Sequence, residues 1–158
     1  MCLFAAHPTF LRAQETGKSS AESVEQESAV FAREGNLDKA IESIRESIKA
    51  DPSYASAYIQ LGDYLLKKGS LDGAFQAFEE ALRINPGLHN AKTGKGMVLS
   101  RKGDLKNAEA VLLDALALNP DPVRTHYELG LVYMKTGDIG RAIAEYKEGI
   151  KKFRQGRK

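Results

Sequence analysis

A chain of 158 residues, 42% hydrophobic and 28% charged, is long enough to bury a substantial core and too apolar for wholesale disorder. Its one cysteine, Cys2, excludes an internal disulfide and an all-cysteine metal cage, and no apolar run approaches the roughly 20 residues that span a bilayer. The net charge of +2 conceals a gradient from an acidic excess over residues 21–54 to a basic excess over 123–158, too mild to argue for nucleic acid by itself but able to orient a partner or favour end-to-end contact.

The N-terminal stretch MCLFAAHPTFLRAQETGKSS begins apolar, breaks at Pro8 and turns polar after Ala13. Leu11-Arg12-Ala13 resembles a signal-peptidase site, although no charged segment precedes the short apolar run. Residues 1–20 therefore read either as a disordered tail or as the remnant of an export signal. The compartment is periplasmic or exported if residues 1–13 are a truncated signal peptide, and cytoplasmic otherwise. No folded element is expected before Ser19.

Beyond that point the chain repeats. Gly35, Gly69, Gly103 and Gly137 fall 34 residues apart, as do Ala40, Ala74, Ala108 and Ala142, and Pro52, Pro86 and Pro120. Gly62, Gly96 and Gly130 keep the same step, with Ser28 at that place in the first unit. The units are 21–54, 55–88, 89–122 and 123–156. The second is the clearest. SAYIQLGDYLLKK carries Tyr58, Leu61, Leu65 and Leu66 at helical spacing, and Gly69 supplies a left-handed residue to close that helix. Asn36, Ser70, Asp104 and Asp138 stand where they can cap the second helix of each unit. LDGAFQAFEEALRI buries Phe75, Phe78, Ala81 and Leu82 before Asn85-Pro86 ends it. Gly62 and Ala74 are small where the two helices come closest.

The third unit contains AKTGKGMVLS, whose Gly94-Lys95-Gly96 invites comparison with a phosphate loop. Such a loop needs glycine where His89 stands and Ser or Thr where Gly96 stands, after a strand, and it has none of these. Gly96 is the packing glycine of its unit. Lys95 occupies a leucine position and Lys92 a bulky one, while Gly94 costs a helix interior about 1 kcal/mol relative to alanine. This helix is expected to be the least stable of eight. Alternatively, Lys92 and Lys95 meet an acidic group from a partner or a neighbouring segment.

In the fourth unit the last helix, RAIAEYKEGIKKF, turns Lys147, Glu148, Lys151 and Lys152 outward, and Ile143, Ile150 and Phe153 leave an apolar edge suited to self-association.

These residues resemble the tetratricopeptide repeat (TPR) family. The pattern is Tyr58, Leu61-Gly62, Leu65, Ala74, Phe78, Ala81 and Pro86 in the second unit, and His126, Leu129-Gly130, Tyr133, Ala142 and Tyr146 in the fourth. The first unit departs with Glu27-Ser28 in place of Leu-Gly, and the last with Gly149 and Arg154 in place of Ala and Pro. The resemblance implies an all-α, right-handed α-solenoid (superhelix) of about four TPR helix-turn-helix hairpins, with a concave groove lined by the first helix of each. The family's groove positions fall here on Ile59, Asp63, Leu66 and Lys67, on Met97 and Arg101, and on Arg124, Tyr127, Leu131, Met134 and Lys135. Ile59, Leu66, Met97, Tyr127, Leu131 and Met134 form a candidate apolar floor. Arg33, Lys67, Arg101 and Lys135 form a basic ladder that serves either the helix dipoles or a ligand. The clamp with which some members hold chaperone tails is not matched: its positions are Glu25, Ala29, Gln60, Asn90 and Gly94 over the first three units, and Ile59, Asp63, Gly94, Arg124 and Glu128 over the last three, of which only Arg124 fits.

His7, His89 and His126 share no metal-like spacing, and no nucleophile or carboxylate constellation stands out, so neither catalysis, metal nor cofactor is expected. The leading expectation is a non-enzymatic scaffold that docks a protein or peptide partner, as part of a larger assembly. A self-associating module that forms homo-oligomers through its last helix is the second. Weak nucleic-acid or phosphate binding by the basic C-terminal end, with Lys151, Lys152, Arg154, Arg157 and Lys158, is the third and least favoured, because no aromatic platform accompanies those bases, and a nucleic-acid partner is not expected.

Overall fold

The computed structural model describes residues 8–119 and 122–156, with side chains from Ser20 onward. Eight helices follow one another without an intervening strand among the described residues: α1 (Pro8–Arg33), α2 (Leu37–Ala50), α3 (Ala55–Lys68), α4 (Leu71–Ile84), α5 (His89–Lys102), α6 (Leu105–Leu118), α7 (Val123–Thr136) and α8 (Ile139–Gln155). Each odd helix packs antiparallel against the even helix that follows, and each even helix against the next odd one. The result is a right-handed α-solenoid.

The punctuation follows from backbone chemistry. Gly35, Gly69, Gly103 and Gly137 are the described residues with positive φ, between 80° and 86°, a region costly for a side chain bearing a Cβ. At Gly69 the backbone N–H donates to Leu66 O, and Ser70 N–H donates to Leu65 O, which satisfies carbonyls orphaned at the helix end. Asn36, Asp104 and Asp138 accept the N–H of Lys39, Asn107 and Arg141 as expected caps, whereas Ser70 makes no side-chain cap bond.

The first helix corrects an expectation. It begins at Pro8, not after Ser19, and runs 26 residues where α3, α5 and α7 each have 14. Proline suits the first turn, and no second proline interrupts the stretch before Arg33. Residues 1–7, on which the export-signal reading begins, lie outside the described residues.

One packing detail departs from a uniform repeat. Gly62, Gly96 and Gly130 admit the rings or methyls of Phe78, Leu112 and Tyr146, each from the second helix of the same unit; a Cβ there would lie within 3.0 Å of them. Gly94 does the same for Phe78 from the following unit. The Phe78 ring, fully buried, is thus seated between α3 and α5. The cost of a helix-interior glycine at Gly94 is offset by this wedge.

The lysines of α5 also find their partners inside the solenoid. Lys95 Nζ lies 2.5 Å from Glu79 Oε1 on α4 and over the Phe75 ring, 5.1 Å from its centroid. Lys92 pairs with Asp114 on α6. Their stems cover apolar surface and their charges meet neighbouring helices, so the second of the two readings of these lysines describes the structure.

Candidate inner-face site

In a curved stack, the row of helices whose members touch each other directly is the inner row. Here α3 contacts α5 and α5 contacts α7, with no comparable contact among the described second helices. The inner face is therefore built by α3, α5 and α7, and side-chain hydrogen bonds from Ser56 and Gln60 to Glu25 extend it to α1.

Three successive first helices meet through one cluster on this face. Arg124 on α7 donates from Nη2 to Asp63 Oδ1 on α3 at 2.7 Å, and lies 3.2 Å from Met97 Sδ on α5. Asp63 and Arg124 are 61 residues apart in sequence. Burial opposes the Arg124 charge, yet the hydrogen bond and charge of Asp63 outweigh it and raise the guanidinium pKa. Glu128, one turn along α7, behaves oppositely. Burial pushes its carboxyl above the ordinary range despite the pull of Arg124, Arg101 and Lys135.

Two rungs of the basic ladder, Arg101 and Lys135, tie neighbouring first helices together. Arg101 Nη1 donates to Leu66 O at 2.9 Å, and Lys135 Nζ donates to Ser100 O at 2.8 Å. Each base stitches its own first helix to the C-terminal carbonyls of the preceding first helix, where the dipole favours positive charge. Lys67 lies over the Tyr64 ring, 5.9 Å from the centroid.

Among the apolar candidates, Leu66 is turned into the core with Phe78 and Val98, and Ile59 and Met97 pack on that core while half-buried. Leu131 is half-buried, and Met134 is 47% exposed. Tyr127 stands apart from them. It is 53% exposed and lies against Tyr146, with ring centroids 5.9 Å apart, in a groove of about 420 Å³ between α7 and α8 lined also by Val123, Gly149, Ile150 and Phe153.

The other end of the inner face is organised by Glu25 on α1, which accepts from Tyr54, Gln60 and, at 2.6 Å, Ser56. Burial first, and then the Glu25 hydrogen bond, push the Tyr54 hydroxyl pKa up to about 12. His126 is buried and its Nδ1 lies 2.7 Å from Glu145 Oε2 across the last hairpin, a packing role. Glu128 is not among the expected groove residues; its spacing of one helical turn from Arg124 is the signal in the sequence.

A family model for the tetratricopeptide repeat matches residues 29–89 and 93–157. The chain belongs to the tetratricopeptide repeat family.

Solved TPR structures agree in fold. The crystal structure of MamA superimposes with a TM-score of 0.72 at 21% identity, covering 91% of this chain and 86% of MamA. TTC0263, a thermophilic TPR protein of Thermus thermophilus, gives 0.77 at 23%, covering 90% and 79%. The first TPR of Spaghetti (RPAP3), bound to an HSP90 peptide, gives 0.71 at 17%, covering 76% and 95%. No curated protein sequence matches the chain. TPR proteins are generally non-catalytic scaffolds that bind proteins or peptides.

Proposed function

We propose that this TPR protein is a non-catalytic scaffold that holds a peptide or helix of a partner protein on its inner face. The observation that carries this reading is the Asp63–Met97–Arg124 cluster, which assembles one surface from three units. Around it lie the half-buried Ile59 and Leu131 and the exposed Met134, adaptable apolar contacts for a partner's side chains. Arg124 offers an acidic partner group a cation that is already oriented. A carboxylate from the partner exchanges with Asp63 for it, a charge-assisted bond in a partly desolvated site. The peptide bound by the structurally similar Spaghetti domain is precedent for peptide capture by this fold.

The test is affinity capture with the wild type and with Met97→Glu/Leu131→Glu. Loss of the same partner from a double mutant with unchanged helical circular dichroism supports the reading. Undiminished capture overturns it.

A further inference from the structure

The two ends of the solenoid carry the two halves of one internal junction. Tyr64, Val98 and Val132 occupy the same place in units two to four, and each is buried against the preceding unit, at 6%, 0% and 0% exposure. The same place in α1 is Val30, which is 48% exposed. At the opposite end, Tyr146 takes the place of Phe78. Gly94 of the following unit closes over Phe78, whereas Tyr146 and Ile150 line the open apolar groove between α7 and α8, with Ile150 53% exposed.

From this we infer that a second copy of the chain docks its α1 into the groove between α7 and α8, so that copies stack head to tail and continue the superhelix. Three further correspondences in the 34-residue period carry the choice of occupant. The pair Lys95–Glu79 ties α5 to α4 within the chain. Two periods earlier than Lys95 stands Glu27, and two periods after Glu79 stands Lys147, both exposed. Stacking sets these opposite one another as an ion pair of reversed polarity. Arg101 and Lys135 each donate to a carbonyl of the preceding first helix, Leu66 O and Ser100 O. The same step places Arg33 of one copy at Met134 O of the next. Finally, the groove between α1 and α2 at the N-terminal end is acidic on balance, with Glu27, Glu42 and Glu46 against the single base Lys39 beside Val24 and Phe31, and the last helix is rich in lysine. Opposite charges on the two ends favour joining an end to its complement and oppose joining like ends.

The contact is heterologous, so each junction leaves one end of either kind open and growth does not stop at a dimer. Sedimentation velocity on the 158-residue chain over a concentration series tests this. The mass of the wild type rises past the dimer, Val30→Arg alone and Ile150→Arg alone stay monomeric, and an equimolar mixture of the two variants forms a dimer and nothing larger. Circular dichroism checks that both variants are folded. Should either fail to fold, the exposed reversals Glu27→Lys and Lys147→Glu replace them. Each alone weakens association at least about 3-fold, and both in one chain restore it. A wild type that stays monomeric at every concentration, an assembly that stops at a dimer, or association indifferent to these substitutions overturns the inference.

Discussion

Phe78 closes on Gly94 of the following unit as tightly as on Gly62 of its own. On helix propensity alone, Gly94→Ala gains about 1 kcal/mol. In the structure the added methyl meets a fully buried ring held on its far side by α3, and overpacking of this kind costs about 1–3 kcal/mol. Gly94→Ala is therefore expected to lower stability, with Phe78→Leu in the same chain recovering part of the loss. Urea denaturation of the two variants decides the sign.

A second prediction concerns Asp63 and Arg124. The pair is partly exposed, so its net worth to stability is no more than about 1 kcal/mol. Asp63→Asn, Arg124→Gln and the double variant, compared by thermal melting, are expected to show a small coupling that falls with added salt. The same cycle measured on partner affinity separates roles. Arg124→Gln weakens binding of an acidic partner, whereas Asp63→Asn frees the guanidinium and strengthens it.

The third concerns pH. The Glu128 carboxyl is raised from its reference value of 4.5, foremost by burial. In the window between the unfolded and the raised folded value, the native state binds the extra proton, so stability falls as pH rises through it. Glu128→Gln removes this loss. Melting temperatures from pH 4 to pH 7 are expected to diverge in favour of the variant at the upper end and to converge at the lower.

Much of this architecture is legible from spacing. The four glycines at 34-residue steps name the four left-handed turns because each consequence is local: a residue with φ near 80° at the end of a helix. Gly94 misleads for the complementary reason. Its cost belongs to its own helix, and its benefit comes from a ring on the helix before. The basic ladder is visible as a column of residues, but its use appears only when neighbouring first helices are set side by side and Arg101 reaches Leu66 O. The Asp63–Arg124 bond is harder still, since it depends on the curvature that brings unit two to unit four across unit three. Tyr127 occupies a groove position by count, yet its ring lies on Tyr146, in the last hairpin's own cleft. At the N-terminus, apolar content at residues 1–7 drew attention to export and away from the unbroken helix that begins at Pro8.

The bond from Asp63 to Arg124 skips a unit, and that gives it a mechanical meaning. A solenoid is a spring whose coils hold only their neighbours, and its pitch is otherwise the sum of many small hinge angles. A bond from the second coil to the fourth is a strut that resists stretching of that segment. Whatever takes Arg124 away from Asp63 loosens the spring at the place where it is being gripped.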